Sequence, residues 1–270
     1  MPAVGVAAKI TAAPAPSPVA ADWRTPDPNN VLVIDTSQGR VIAELSPATA
    51  PQAVDRVRTL ARQGFYDGRK FFRVIDGFMD QTGDPKEDGT GGSPLPDLPA
   101  EFTLRLGADA PFAIATKVGD LDAGLLGVMP IVSQPIAQGA LTADGKVKAY
   151  VTYCSGVLGM ARAESPDSAN SQFYMMRGDT PNLDGKYTAF GRVIVGMDVV
   201  RLIKAGEPPP PPMDTMVKVQ ILADMPIASR PKVRVIDTQG PWFKAQIERV
   251  RADKVIDFSV CDLDLPAEAK

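Results

Sequence analysis

Short apolar runs separated by turn residues dominate the middle of the chain and predict a mainly β structure. Residues 31–35 and 40–45 are apolar runs joined by a polar turn that ends in Gly39, which is typical of a β-hairpin. Many short strands with turn signals between them indicate a barrel or a sandwich. The further strands are expected near residues 70–75, 78–81, 111–115, 149–153, 157–162, 171–176, 188–195 and 216–222.

Two segments of this central region have helical spacing instead. After Thr49, apolar residues recur on one helical face until Gly64, and Thr49 and Gln52 have the spacing of a capping box. The second helix is expected over 197–205, before Gly206.

The two ends of the chain differ from this centre. Residues 1–29 are rich in Ala and Pro and predict a flexible N-terminal arm. A V-A-A sequence at 19–21 resembles a signal-peptidase site but lacks a basic segment before it, so a disordered arm and a clipped signal sequence both remain open. Residues 227–270 predict a C-terminal extension, with strands near 233–236 and 255–260 around a helix at 241–251.

Composition limits the chemistry that this chain can perform. The 270 residues include no histidine, which excludes Ser-His-Asp and Cys-His mechanisms and His-ligated metal sites. Two cysteines are too few for a four-thiolate metal site, so no metal and no cofactor are expected. A net charge of -3 argues against nucleic-acid binding, and no apolar run is long enough for a membrane span.

The two cysteines, Cys154 and Cys261, leave the compartment open. Buried free thiols are expected in a cytosolic protein, whereas an exported chain would allow the two to pair.

Two segments carry the most specific residue patterns. Residues 71–84 read F-F-R-V-I-D-G-F-M-D-Q-T-G-D, and residues 159–191 contain G-M-A-R-A, S-Q-F-Y-M and L-D-G-K-Y-T-A-F-G in that order. Together they resemble the bacterial branch of the cyclophilin-type peptidyl-prolyl cis-trans isomerases. The resemblance covers residues 30–226 and implies a closed antiparallel eight-stranded β-barrel capped by two helices, with an insertion at about 104–150.

The resemblance implies an enzyme that catalyses rotation about X-Pro bonds in proline-containing polypeptides and so assists protein folding. Amide resonance opposes this rotation with a barrier of ~18–20 kcal/mol, and an enzyme lowers it by binding the twisted bond best. An arginine can hydrogen-bond the prolyl nitrogen and keeps its charge at every working pH. The alternative is a catalytically weak or inactive protein-binding module. The expected location is the periplasm, with the cytoplasm as the alternative.

The resemblance also implies roles for individual residues. Arg73 is expected to be the catalytic guanidinium, Gln81 to orient it and bind the substrate backbone, and Phe78 to act beside them in the proline pocket. The remaining residues expected to bind substrate are Met79, Tyr174 and Leu183 in the pocket, Ala161 and Gln172 along the groove, Tyr187 at the rim, and Phe72 and Asn182 at positions that vary among relatives.

The insertion contains a strongly apolar stretch at 125–132 that must be buried. We expect the insertion to pack beside the groove and to narrow the choice of substrate.

Two departures from the family pattern lead to a prediction about inhibitor binding. Arg162 stands where asparagine is common, and Asn182 stands where some relatives carry the tryptophan that governs cyclosporin affinity. We therefore expect weak cyclosporin binding, and a dissociation constant in the nanomolar range would contradict it.

Overall fold

The structure is a computed structural model that describes residues 16–253 and 258–270. Its α-helices are α1 Pro51–Arg62, α2 Met197–Leu202 and α3 Pro241–Asp253. Its strands are β1 Trp23–Arg24, β2 Val31–Thr36, β3 Gly39–Leu45, β4 Arg73–Ile75, β5 Met79–Thr82, β6 Leu104–Gly107, β7 Phe112–Val118, β8 Leu121–Leu126, β9 Met129–Ser133, β10 Lys146–Val151, β11 Val157–Met160, β12 Phe173–Met176, β13 Ala189–Val195, β14 Met216–Ile221, β15 Val233–Ile236 and β16 Ala267–Ala269.

A curled antiparallel sheet of eight strands, in the order β14-β2-β3-β13-β11-β12-β5-β4, forms the centre of the fold. The mainly β fold is confirmed, but the closed barrel is wrong, because the edge strands β14 and β4 do not pair. An isolated bridge joins Lys70 to Thr215 just before these strands. Beyond it Val74 exchanges backbone hydrogen bonds of 2.9 and 2.8 Å with Gly206. The loop after α2 therefore occupies the free edge of β4, and the sheet remains a half-barrel.

The main hydrophobic cluster lies between one face of this sheet and α1. Val54, Val57 and Leu60 of α1 are fully buried against sheet residues that include Val74 and Phe173. The period of α1 matches that of the sequence pattern, since its apolar positions fall on one buried face. The second predicted helix, α2, packs against β3.

The N-terminus of α1 is capped by a distant carboxylate and not by the predicted capping box. Ala50 is the N-cap residue, and the Thr49 hydroxyl donates to the Ala189 carbonyl at 3.0 Å instead. Glu101 accepts hydrogen bonds from the backbone N–H groups of Gln52 and Ala53 at 3.0 and 2.9 Å. A carboxylate there satisfies free N–H groups and complements the positive end of the helix dipole.

The second helix is shorter than predicted, because it ends at Leu202 and Ile203 is extended. The buried guanidinium of Arg177 donates to the backbone carbonyls of Val200 and Ile203. These bonds satisfy carbonyl groups that a longer helix would have used.

The insertion forms a second sheet of five strands, in the order β6-β10-β9-β8-β7. The sequence pattern indicates only β7 and β10, because β8 and β9 are buried almost throughout and lack polar alternation. Leu125 and Val132 of this sheet share a hydrophobic cluster with Met79 and Tyr174 of the central sheet. The insertion therefore packs on the sheet face opposite α1.

The C-terminal extension forms a three-stranded sheet, β1-β15-β16, with the N-terminal segment. Residues 1–15 of the predicted flexible arm lie outside the described residues. Within the rest of the arm, Trp23 pairs with Ile236 and Asp22 is buried. Residues 22–24 are therefore packed on the extension and are not flexible as predicted. The predicted strand at 233–236 and the predicted helix at 241–251 correspond to β15 and α3.

The predicted strand at 255–260 lies partly outside the described residues, and Val260 belongs to a short 3-10 helix. None of the helices in the described part of the chain has both the length and the apolar character that crossing a bilayer requires.

A disulfide between Cys154 and Cys261 ties the extension to the loop before β11. Of the two alternatives that the sequence left open, the structure contains the paired cysteines. The two residues are 107 positions apart, so the crosslink stabilises the folded chain by roughly 4–5 kcal/mol on the chain-entropy estimate.

Candidate active site

Strand register brings the most specific sequence segments into one row across the sheet. Arg73 of β4 lies opposite Gln81 of β5, which lies opposite Tyr174 of β12, and Tyr174 lies opposite Gly159 of β11. Directly opposed residues point to the same face of a sheet. The side chains of Arg73, Gln81 and Tyr174 therefore project together from the face opposite α1.

A relay of side-chain amides orients Gln81 toward the Arg73 guanidinium. The Gln81 Nε2 donates to Gln172 Oε1 at 2.9 Å, and the Gln172 Nε2 donates to the carbonyl oxygens of Gly91 and Gly89 at 2.7 and 3.0 Å. This arrangement leaves Gln81 Oε1 facing Arg73 Nη1 at 3.5 Å. The donors and acceptors of the relay thus fix which end of the Gln81 amide meets the arginine.

Glu207 is a second partner of Arg73, and sequence reasoning missed it. The Arg73 Nε donates to Glu207 Oε2 at 2.7 Å, and the two side chains are 39% and 52% exposed. No motif marks Glu207, because contacts between distant segments, among them the Val74–Gly206 pairing, bring its loop to β4. Within the described chain, no protein atom accepts a hydrogen bond from Arg73 Nη2, so this nitrogen is available to a ligand.

A central pocket of about 140 Å³ lies beside the guanidinium. Its walls are mostly apolar or aromatic, with the Arg73 and Arg162 guanidinium groups and the Gln81 amide as polar groups. It combines most of the predicted site residues in one place. The lining residues are Arg73, Phe78, Met79, Gln81, Ala161, Arg162, Tyr174, Leu183 and Tyr187.

Two further pockets adjoin the central pocket and hold other predicted residues. The glycine-loop pocket, about 330 Å³, shares Gln81, Ala161 and Arg162 with the central pocket and is also lined by Gly89–Gly92 and Gln172. The third pocket, about 410 Å³, shares Arg73 and Gln81 and is also lined by Phe72 and Glu207.

Asn182 is exposed and lies outside all three pockets. No residue of the insertion lines any of these three pockets. The insertion instead packs against Met79 and Tyr174, which form part of the central pocket. Its effect on substrate choice stays a prediction.

The floor of the central pocket is formed by Tyr174, for which Gly159 provides the space. A Cβ atom at position 159 would lie 2.4 Å from Tyr174 Cζ and 2.5 Å from its hydroxyl oxygen. The Tyr153 ring lies beneath, with its centroid 6.1 Å from that of Tyr174. Burial raises the pKa of both phenols well above the ordinary value, so both remain neutral.

The loop that contributes Leu183 and Tyr187 is anchored by Asp184. Its carboxylate accepts hydrogen bonds from the Thr152 hydroxyl at 2.6 Å and from the Tyr153 N–H at 2.8 Å. Tyr153 also packs against Tyr174. It therefore supports the pocket floor through its ring and the loop of Leu183 and Tyr187 through its backbone N–H.

A buried ion pair lies on the other side of β5, and sequence reasoning also missed it. Asp80, between Met79 and Gln81, is fully buried and accepts a hydrogen bond from Arg177 Nε. Burial raises the pKa of the Asp80 carboxyl to about 7, and the positive charge of Arg177 opposes this shift. Arg177 also contacts Asp76 and the carbonyls at the end of α2, so it links the site strand to the loop that carries Glu207.

Comparison with known proteins identifies relatives for this site and this fold. The family described as "Cyclophilin type peptidyl-prolyl cis-trans isomerase/CLD" matches residues 31–223. A probable peptidyl-prolyl cis-trans isomerase of Brucella suis is 36% identical over 191 residues, which cover 67% of this chain and 74% of that protein. Peptidyl-prolyl cis-trans isomerase CYP71 of Arabidopsis thaliana is 34% identical over 179 residues, which cover 66% of this chain and 21% of that protein.

A solved structure extends this similarity beyond the family match. The crystal structure of cyclophilin AquaCyp293 from Hirschia baltica superposes with a TM-score of 0.84 at 31% sequence identity. The alignment covers 92% of this chain and 93% of the other. The shared architecture therefore includes most of the residues outside the family match.

The buried carboxyl of Asp80 predicts a pH-dependent stability. Its pKa in the folded protein, about 7, exceeds the ordinary value of 3.8, so the folded state retains a proton that the unfolded state has lost. The resulting stabilisation is complete below pH ~4 and is lost as the pH rises through 7. Relative to Asp80→Asn, the wild type should lose roughly 2 kcal/mol of unfolding free energy between pH 5 and pH 8, measured by urea unfolding.

Asp76→Asn is the matched control, because it removes the largely exposed carboxylate that also contacts Arg177. This variant should keep most of the pH dependence of the wild type, moved slightly to lower pH, because the negative charge of Asp76 is a minor contribution to the raised pKa of Asp80. An equal stability difference between wild type and Asp80→Asn at both pH values would show that Asp80 does not titrate in this range.

Proposed function

The chain belongs to the cyclophilin-type peptidyl-prolyl cis-trans isomerase family, and we propose that the central pocket holds a substrate proline while Arg73 promotes rotation about the preceding peptide bond. The observation that carries this proposal is a guanidinium with one free nitrogen, Nη2, at the edge of a pocket whose other side chains are mostly apolar or aromatic. The substrates are proline-containing polypeptides, and the reaction assists their folding.

The reaction needs little more than shape and one hydrogen-bond donor. Twisting the X-Pro bond breaks the amide resonance, and the nitrogen lone pair that resonance had delocalised becomes available as an acceptor. A donor that bonds this lone pair stabilises the twisted state more than either planar state, which is the condition for catalysis. Arg73 is suited to this role, because a guanidinium remains charged and donates along fixed directions.

The surrounding residues divide the remaining work. Phe78, Met79, Tyr174 and Leu183 enclose the ring of the proline in apolar surface. Gln81 receives its orientation from Gln172 and positions the Arg73 guanidinium from the pocket side, while Glu207 holds the Nε side. The guanidinium is thereby fixed before substrate arrives, which reduces the reorganisation needed in the transition state.

A non-catalytic binding module is the alternative, and the geometry disfavours it. A module that only held a peptide would need a pocket but no guanidinium nitrogen left free beside it. Here the relay from Gly91 through Gln172 and Gln81 ends on Arg73, so three residues serve the orientation of one donor.

We also propose that the protein works in the periplasm of a bacterium. The support is the Cys154–Cys261 disulfide, since disulfides persist in oxidising compartments and are rare in a reducing cytosol. The substrates would then be exported polypeptides that fold in the same compartment.

Replacement of Arg73 tests the catalytic proposal. Arg73→Ala should lower kcat/KM by about 10²–10³, the usual effect of removing one preorganised transition-state donor, measured by cis-trans exchange of a proline peptide in NMR spectra. Arg73→Lys should lower it by at least about tenfold, because an ammonium cannot donate along the same directions. Arg105→Ala, which removes a solvent-exposed ion pair with Asp144, is the control and should retain full activity. Equal rates for wild type and a folded Arg73→Ala would refute the proposed mechanism.

Thiol trapping in intact cells tests the location. Cells of the source organism are quenched in acid, and the denatured protein is treated with an alkylating reagent before and after reduction. We expect no labelled cysteine before reduction and two after it, together with recovery in the periplasmic fraction. In the Cys261→Ser variant, Cys154 has no partner and should be labelled before reduction. Labelling of both cysteines before reduction, in a cytosolic fraction, would contradict the proposed location.

A further inference from the structure

The guanidinium of Arg162 lies against two aromatic rings at the boundary of two pockets. Its carbon Cζ is 4.5 Å from the centroid of the Tyr187 ring and 5.5 Å from that of Phe102. Arg162 lines both the central pocket and the glycine-loop pocket. It therefore forms part of the partition between the two.

Four hydrogen bonds fix this guanidinium to backbone on both sides. Nε and Nη2 each donate to the Lys186 carbonyl at 3.2 Å, while Nη1 donates to the carbonyls of Ala163 and Glu164 at 2.9 and 3.0 Å. The two carbonyl sets belong to different loops, one before Tyr187 and one after β11. The planar guanidinium has donors on several nitrogens and can bond the carbonyls of both loops at once, whereas a lysine has a single ammonium nitrogen.

Tyr187 depends on this arrangement for its position. It directly follows Lys186, whose carbonyl is held by Arg162, and its ring makes an edge contact with Tyr174 at 6.2 Å between centroids. The other end of its loop is anchored by Asp184. The loop is therefore held at two points, by the Asp184 carboxylate and by the bond from Arg162 to the Lys186 carbonyl. The bond from Arg162 is the one next to Tyr187.

We propose that Arg162 is a positioning residue that holds Tyr187 as the rim of the central pocket and thereby sets the affinity for the substrate proline. This inference rests on the proposed function of the pocket. Arg162 acts through the tyrosine ring, by stacking on it and by fixing the preceding peptide group.

The proposal makes a specific kinetic demand. The proline ring keeps its shape during rotation about the preceding bond, so a rim that contacts the ring binds the cis, trans and twisted states alike. An interaction that is equal in ground and transition states changes KM and leaves kcat unchanged. Arg162 should therefore differ in kind from Arg73, whose removal lowers kcat.

The test combines substitutions of Arg162 and Tyr187 in the same exchange assay. Arg162→Ala should raise KM about tenfold with kcat within twofold of wild type. Arg162→Lys should raise KM almost as much, because it cannot bridge the two loops. Tyr187→Leu should raise KM as Arg162→Ala does, and Arg105→Ala, which lies outside the three pockets, should resemble wild type.

The double variant with Arg162→Ala and Tyr187→Leu decides whether the arginine acts through the tyrosine. We expect its KM to equal that of Tyr187→Leu alone. Independent, multiplying effects on KM would overturn the proposal, as would a fall in kcat for Arg162→Lys or Arg162→Ala at unchanged KM. If Arg162→Ala does not fold, the cycle is carried out with Arg162→Lys. Failure of this cycle would leave the role of Arg73 intact, because Arg73→Ala is measured separately.

Discussion

The register between β4, β5, β12 and β11 is the constraint on which the site depends. It places Arg73, Gln81, Tyr174 and Gly159 in one cross-strand row, although they come from two distant parts of the chain. A slip of one residue in any of these pairings would turn a side chain of the row to the other face. Asp80 shows what lies there, since it is adjacent to Gln81 in sequence yet buried against Arg177 on the opposite face. Strand β5 thus alternates a polar side chain of the candidate site, Gln81, with a buried structural one, Asp80.

The position of the site follows from the two hydrophobic clusters that the central sheet separates. One face packs on α1 through residues such as Val74 and Phe173, and the other packs on the insertion and the extension. Met79 and Tyr174 belong to the second cluster, so the floor of the pocket is also part of a core. Rigid support of this kind lets a partly exposed pocket keep its shape without a bound ligand.

The motif segments predicted most of the site, because strand alternation and a short turn are local properties. Arg73, Gln81 and Phe78 could be placed from residues 71–84, and the pocket does combine them. What the sequence pattern could not provide was contact between distant segments. Glu207 reaches Arg73 because the Val74–Gly206 bridge and the Arg177 contacts hold its loop beside β4, and Glu101 replaces the predicted cap of α1 from another loop. The strands β8 and β9 were missed for a related reason, since burial on both faces removes the alternation that marks a strand.

The three-stranded sheet of the extension also constrains the order in which the chain can fold. β1 begins at Trp23, but its partner β15 begins at Val233, and Cys261, the partner of Cys154, follows later still. Because a ribosome delivers the N-terminus first, all eight strands of the central sheet are available before β1 has a partner. The N-terminal segment therefore has no strand to pair with until almost the whole chain has been made. Its pairing with the extension is the last step of the fold.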